Sequence, residues 1–234
     1  MSNPYPVYLV AVVGGSGAGK GWLVERLCRV VGEHACRLQL DDFYRDRSHL
    51  PPSRRARLNF DVPDAIDWDW AERVLLDCRA GESTTLPSYD FATHTRCSQC
   101  RHWLPRSLVF VDGLWLLRPP AIRRLFDLKI YLDTPTDLRC TRRLARDVVE
   151  RGYSRDMVDR QLRTAVLPMH SRYVEPQKKY ADIVLKQPFE EAQLAELADR
   201  MWTMLSSASL VHPWQHETFR AELIGLLANH EFCN

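Results

Sequence analysis

Hydrophobic positions along the chain switch repeatedly between two periods. Tyr8-Leu-Val-Ala-Val-Val13 is an apolar, β-branched run without polar alternation, the pattern of a strand covered on both faces, and it leads directly into Gly14-Gly-Ser-Gly-Ala-Gly19-Lys20. Trp22, Leu23, Arg26, Leu27, Val30 and Val31 then recur at helical spacing, and Gly32 offers a stop, so the spacing predicts a helix over 21–32. Arg37 to Leu40 reads as the next strand, ending at Asp41-Asp42, and the Pro- and Arg-rich stretch 45–57 reads as a surface loop with no regular element. A helix follows over 68–80, with Trp68, Ala71, Val74, Leu75 and Cys78 on one face and Gly81 closing it. Residues 84–106 alternate loosely and read as a hairpin or irregular insertion.

Two further buried strands, Ser107–Val111 and Leu128–Leu132, each run into a carboxylate, Asp112 and Asp133. Thr134 as N-cap and Pro135 at the first position open a helix that runs to about Arg151 and stops at Gly152. Another helix is predicted over about 154–174, a short strand over Ala181–Leu185, and helices at about 190–205 and 215–229, the last with Trp214, Phe219, Leu223 and Leu226 at helical apolar spacing. Strand and helix alternate throughout, without repeats or low-complexity segments. The pattern predicts an α/β fold with a parallel sheet and helices on both faces.

Composition narrows the class of ligand. The 234 residues are 45% hydrophobic and 26% charged, with 32 Lys+Arg against 30 Asp+Glu, which excludes disorder, collagen and coiled coil and leaves one large domain, with or without an appendage. A net charge of +2 provides no broad footprint for nucleic acid, so small anions must be met by local clusters of positive charge. The longest apolar run is too short for a membrane span and has no basic flank before it, and seven thinly spread cysteines fit reduced thiols. Both point to a cytoplasmic protein with no membrane partner.

Gly14 to Lys20 satisfies G-x-x-x-x-G-K between a predicted strand and a predicted helix. In that context Gly14, Gly15, Ser16, Gly17, Ala18 and Gly19 turn backbone N–H groups around a phosphate, and Lys20 reaches the β- and γ-phosphates. One position departs: where the motif carries Ser or Thr to ligate magnesium, this chain has Gly21. Magnesium needs only one or two carboxylates beside water and substrate phosphates, so the loss need not abolish metal binding. Asp112 is the metal-side candidate, against a strand-end Asp that merely starts a turn, and Asp42 is a second carboxylate that could compensate for Gly21.

These blocks, together with Asp-Asp-Phe-Tyr (41–44), Asn-Phe-Asp-Val-Pro-Asp-Ala (59–65), Tyr-Asp-Phe-Ala-Thr-His-Thr-Arg (89–96), Asp-Gly-Leu (112–114), Arg-Arg-Leu-Ala-Arg-Asp-Val-Val-Glu-Arg-Gly (142–152) and Lys-Lys-Tyr-Ala-Asp (178–182), resemble the uridine-cytidine kinases, P-loop nucleoside kinases related to phosphoribulokinase. The resemblance runs from about 7 to 186. It implies a P-loop NTPase-type sheet with a β-hairpin substrate insertion at about 84–106 and a helical lid at about 143–160, inside a kinase domain over 1–206, followed by a helical extension over 207–234. It implies transfer of the γ-phosphoryl group of ATP, or GTP, with Mg2+, to the 5′-hydroxyl of uridine or cytidine in pyrimidine salvage, and a homo-oligomer, commonly a tetramer.

Residue by residue, the resemblance makes Asp41 the catalytic carboxylate, although the family's following Ser is Asp42 here. A carboxylate is what the chemistry asks for, because the attacking hydroxyl must be oriented or deprotonated. Asp61 would hold the ribose hydroxyls, Phe60 and Phe91 would wall the base, Tyr89 and His94 would meet its polar edge, and Gln161 would contact it from the lid side. Arg143, Arg146 and Arg151 would clamp phosphate oxygens, with Gly152 as a hinge. Taken alone, the arginines at 139, 142, 143, 146 and 151 read equally as a solvated basic helix face. The family's Arg after that glycine is Tyr153 here, which alters the sugar or base contacts. His94, Cys97, Cys100 and His102 have zinc-ligand types, but one tight run wraps a tetrahedron poorly and free thiols are the default. Gly21 and Tyr153 keep a second reading open, a degenerate nucleotide-binding paralogue with a regulatory role. A third keeps the chemistry and changes the acceptor, to nicotinamide riboside or a sugar phosphate.

Overall fold

A computed structural model describes residues 2–55, 57–150, 152–212 and 215–228. Five strands form the central sheet: β1 (Tyr8–Gly14), β2 (Ala35–Gln39), β3 (Leu108–Gly113), β4 (Leu128–Asp133) and β5 (Ile183–Lys186). Their order is β2-β3-β1-β4-β5 and every pairing is parallel. β1 is central, and Leu9 to Val13 are completely buried, as a strand covered on both faces must be. Its two-residue period divides the core. Leu9, Ala11 and Val13 pack with Val74, Leu75 and Trp115 on one side, while Val10 and Val12 pack with Leu23, Leu27, Leu197 and Met201 on the other.

The helices on the first face are led by α2 (Trp68–Arg79), and those on the second are α1 (Lys20–Val31), α5 (Glu191–Ser207) and α6 (His216–Ala228). Asp67 caps α2 by accepting from the Trp70 amide, which supplies a partner for one orphan N–H of the first turn. Phe219, Leu223 and Leu227 of α6 are buried in the same cluster as Val24 and Leu27 of α1, so the chain's last described helix covers the helix that follows the phosphate loop. Trp214 and Cys233 lie outside the described residues.

The structure corrects several local expectations. Helix α3 runs Thr136–Val149 with Pro135 as its N-cap, one residue later than expected, because the Thr134 hydroxyl donates to Ala18 O (3.1 Å) instead of capping. The single helix expected over 154–174 is α4 (Arg155–Gln161), capped by Ser154, followed by wide π turns at Leu162–Val166 and His170–Val174 around Leu167–Met169. Pro168 lies between those turns and has no N–H to give an ordinary helical ladder. The predicted strand over 37–40 is Ala35–Gln39, and Leu40–Phe43 is a 3-10 turn, so Asp41 and Asp42 sit past the strand rather than on it. One turn of helix, Pro52–Arg55, interrupts the loop expected over 45–57. The stretch 84–106 is a nested hairpin, Thr84–Leu86 against Arg101–Trp103 and Tyr89–Asp90 against Thr95–Arg96, with His94 at φ 54° in its tip.

Candidate active site

The turn after β1 carries its shape in its glycines. Gly17 has φ +78°, and a Cβ there would lie 2.2 Å from the Arg139 carbonyl oxygen, so only glycine lets the loop pass this close to α3. Ala18 O is held from behind by Thr134 Oγ1 (3.1 Å) and Gln187 Nε2 (3.2 Å). Lys20 opens α1, and its Nζ donates to the Gly14 and Gly15 carbonyls at 3.1 and 3.0 Å. Burial lowers its pKa to about 8, against the pull of Asp41 and Asp112, which favour the charged form.

Two cavities meet at this loop. The first, about 340 Å³, is lined by Gly17, Gly19, Lys20, Gly21, Asp42 and Asp112, and by the cations Arg37, Arg142, Arg143 and Arg146. The second, about 180 Å³, is walled by the rings of Tyr44, Phe60, Tyr89, Phe91, His94 and Tyr153, with Asp61 and Gln161 as polar members. Asp41, Lys20, Arg143 and Arg146 line both. The order of elements explains the junction. β2 ends beside β3, where Gln39 pairs with Asp112, and the 3-10 turn after β2 swings Asp41 over the sheet's carboxyl edge.

In the polar cavity Asp112 is a buried carboxylate whose Oδ2 accepts from Arg37 Nε at 2.7 Å. Burial raises the Asp42 carboxyl to about 6, with Arg101 opposing the rise and Asp41 and Asp112 adding to it. Helix α3 does not present a solvated basic face. Arg139 and Arg143 are buried, and Asp147, fully buried, pairs with Arg143 (3.2 Å) and Arg146 (2.8 Å). A buried carboxylate on the inner face of α3 fixes both guanidinium groups toward the loop. Arg143 Nη1 also reaches Ser16 Oγ (2.9 Å) and Asp61 Oδ1 (3.4 Å), so one side chain ties the phosphate loop to the second cavity. Arg151, named from the sequence as a third clamp, lies outside the described residues.

In the aromatic cavity His94 stacks on Phe60, ring centroids 4.5 Å apart and planes within 11°. Tyr44 packs edge-on against Phe60 and Phe91 and donates its hydroxyl to Phe60 O (3.2 Å). Its burial pushes its pKa well above that of an ordinary tyrosine. The structure therefore gathers all the described site residues anticipated from the sequence around one junction. It adds Arg37, Tyr44 and Arg142, to which the sequence reading gave no role in the site, and places Tyr153 in the aromatic wall. Arg37 carried a signal, as a lone cation in a strand that is apolar at its buried positions. Cys97 and Cys100 are exposed free thiols in the hairpin.

A five-stranded parallel sheet with a glycine-rich loop after its central strand, a lysine opening the next helix and a cation-lined cavity above defines a P-loop kinase. The family model for the phosphoribulokinase/uridine kinase family matches residues 9–192. The chain is 41% identical over 183 residues to a uridine kinase of Chloroflexus aurantiacus, covering 78% of this chain and 87% of that protein. It is 38% identical over 178 residues to a uridine kinase of Staphylococcus aureus, covering 76% and 86%. Among solved structures, phosphoribulokinase from Rhodobacter spheroides has the same fold, with TM-score 0.57, 20% identity, and 78% of this chain and 70% of that chain covered. The chain belongs to the phosphoribulokinase/uridine kinase family and is a phosphotransferase.

Proposed function

We propose that this kinase transfers the γ-phosphoryl group of ATP to the 5′-hydroxyl of a pyrimidine nucleoside, uridine or cytidine, yielding the 5′-monophosphate in pyrimidine salvage. The observation that carries the reading is Asp41, the carboxylate shared by a cation-lined cavity and a ring-lined one. The glycine loop and Lys20 bind the donor's phosphates in the first. A flat pyrimidine fits between the rings of Phe60, Phe91 and Tyr89 in the second, and the polar atoms of His94, Tyr89 and Gln161 offer hydrogen bonds to its edge. Asp61, held by Arg143, accepts from the ribose hydroxyls.

In the transfer step the acceptor oxygen attacks the γ-phosphorus while the bond to the β–γ bridging oxygen breaks and ADP leaves. The hydroxyl proton passes to Asp41. Arg143 and Arg146, already fixed on Asp147, face the transferring oxygens and stabilise their charge without reorganising. The carboxylates of Asp112 and Asp42 in the cation-lined cavity fit magnesium and would hold it there. When bound it would neutralise donor charge.

A coupled ADP-release assay over a panel of nucleosides and sugar phosphates tests the reading. Turnover on uridine or cytidine that disappears in Asp41→Asn supports it. Turnover on a sugar phosphate alone, or donor binding with no turnover on any acceptor, overturns it.

A further inference from the structure

The position after the loop lysine and Arg37 of strand β2 share one volume. A Cβ built on Gly21 would lie 2.7 Å from Arg37 Nη2, so the guanidinium fills the volume that a Ser or Thr side chain would enter. Each Arg37 nitrogen has a direction. Nε donates to Asp112 Oδ2 at 2.7 Å, Nη1 to Glu25 Oε1 at 3.1 Å, and Nη2 points over Gly21 into the cation-lined cavity. The carboxylate at the end of β3 is thus tied to a guanidinium held by two acidic side chains. That cavity has five cationic side chains, Lys20, Arg37, Arg142, Arg143 and Arg146, against three carboxylates. The surplus suits a polyphosphate, and a planar guanidinium is the side chain best matched to phosphate oxygens.

We propose that Arg37 is a donor-phosphate contact of this chain: held on Asp112 above Gly21, it sets a fixed positive charge where the motif's hydroxyl would ligate magnesium, so that a nucleoside triphosphate binds without the divalent metal. The substitution is self-consistent. A hydroxyl at 21 and a guanidinium at 37 compete for one volume, and removing the first makes room for the second. Asp112 then positions Arg37 as well as facing the metal side. The proposal rests on the donor half of the reading above and is independent of the acceptor.

The test is equilibrium binding of a β,γ-imido nucleoside triphosphate by calorimetry, in EDTA and in excess magnesium, with no acceptor and no turnover. Wild type is expected to bind in EDTA within about tenfold of its affinity with magnesium. Arg37→Gln should weaken the EDTA affinity by about 10- to 100-fold, the scale of one charge-assisted contact, with a smaller loss in magnesium. Arg37→Lys should retain part of the EDTA affinity. The double variant Gly21→Ser with Arg37→Gln should bind well only with magnesium, because the hydroxyl now has room to ligate. Wild type that binds only with magnesium overturns the proposal even if no variant folds. So does Arg37→Gln that leaves the EDTA affinity unchanged, or that weakens both conditions equally, which would make Arg37 a structural strut. Wild type that binds no triphosphate under either condition overturns the donor reading along with it.

Discussion

The two cavities that meet at Asp41 are built on opposite principles. One is backbone and charge, a glycine loop faced by Lys20 and four arginines, each engaged with Asp112, Asp147 or Gln187. The other is ring surface, with Tyr44, Tyr89 and Phe91 in mutual contact and His94 lying flat on Phe60. The two cavities should therefore differ in what perturbs them. The charged cavity should respond to pH, salt and single-atom changes, because its terms are electrostatic and desolvated. The aromatic cavity should respond to shape, through the Michaelis constant for the acceptor.

The largest effect belongs to the carboxylate both cavities share. Asp41→Asn should lower kcat by about 10²- to 10⁴-fold, the scale of a positioned acid–base group, with both Michaelis constants within a few-fold. Steady-state kinetics that show less than a tenfold loss would remove Asp41 from the chemistry. Next comes Arg143, which touches Ser16, Asp61 and Asp147 at once. Arg143→Gln should cost about 10²-fold in kcat/KM for donor and acceptor alike; a loss confined to one substrate would break the bridge between the cavities. Phe60→Ala should raise the acceptor KM by about 3- to 10-fold and leave the donor KM unmoved, in contrast to Arg143→Gln, which affects both substrates.

The smallest effect is a pH dependence with two opposite signs. Lys20 in the fold releases its proton near pH 8, below the ordinary value of 10.5. As pH rises through about 8 the site loses that charge, so donor affinity should fall by a few-fold while the acceptor KM stays flat. Between about 8 and 10.5 the unfolded chain holds the proton and the folded one does not, so the fold itself should gain stability over the same window. Denaturant midpoints measured alongside donor affinity should therefore move in opposite directions.

The donor side was more legible in the sequence than the acceptor side. A seven-residue spacing fixes the glycine loop because the chemistry of binding phosphate with backbone amides admits few sequences, and the apolar strand before it needs no tertiary information. The acceptor side is assembled from 3-10 turns, a nested hairpin and the region after α4, whose contacts are non-local. The sequence pattern could not show that His94 stacks on Phe60 or that Tyr44 fills the space between rings. Helix boundaries moved where a side chain had a better partner than the local cap, as at Thr134, or where a proline forbade a regular ladder, as at Pro168. The burial of Arg143 and Asp147 was hidden for a related reason: charge reads as surface in a sequence until its partner is known.

The most direct test of the shared carboxylate as the point of transfer is the position of the new phosphate ester. With ATP and uridine, cytidine or 5′-deoxyuridine, phosphorus NMR of the product should show a monoester coupled to the C5′ protons for the first two and no product from the third. Phosphate on a 2′- or 3′-hydroxyl, transfer to 5′-deoxyuridine, or no ester from any of the three would contradict it.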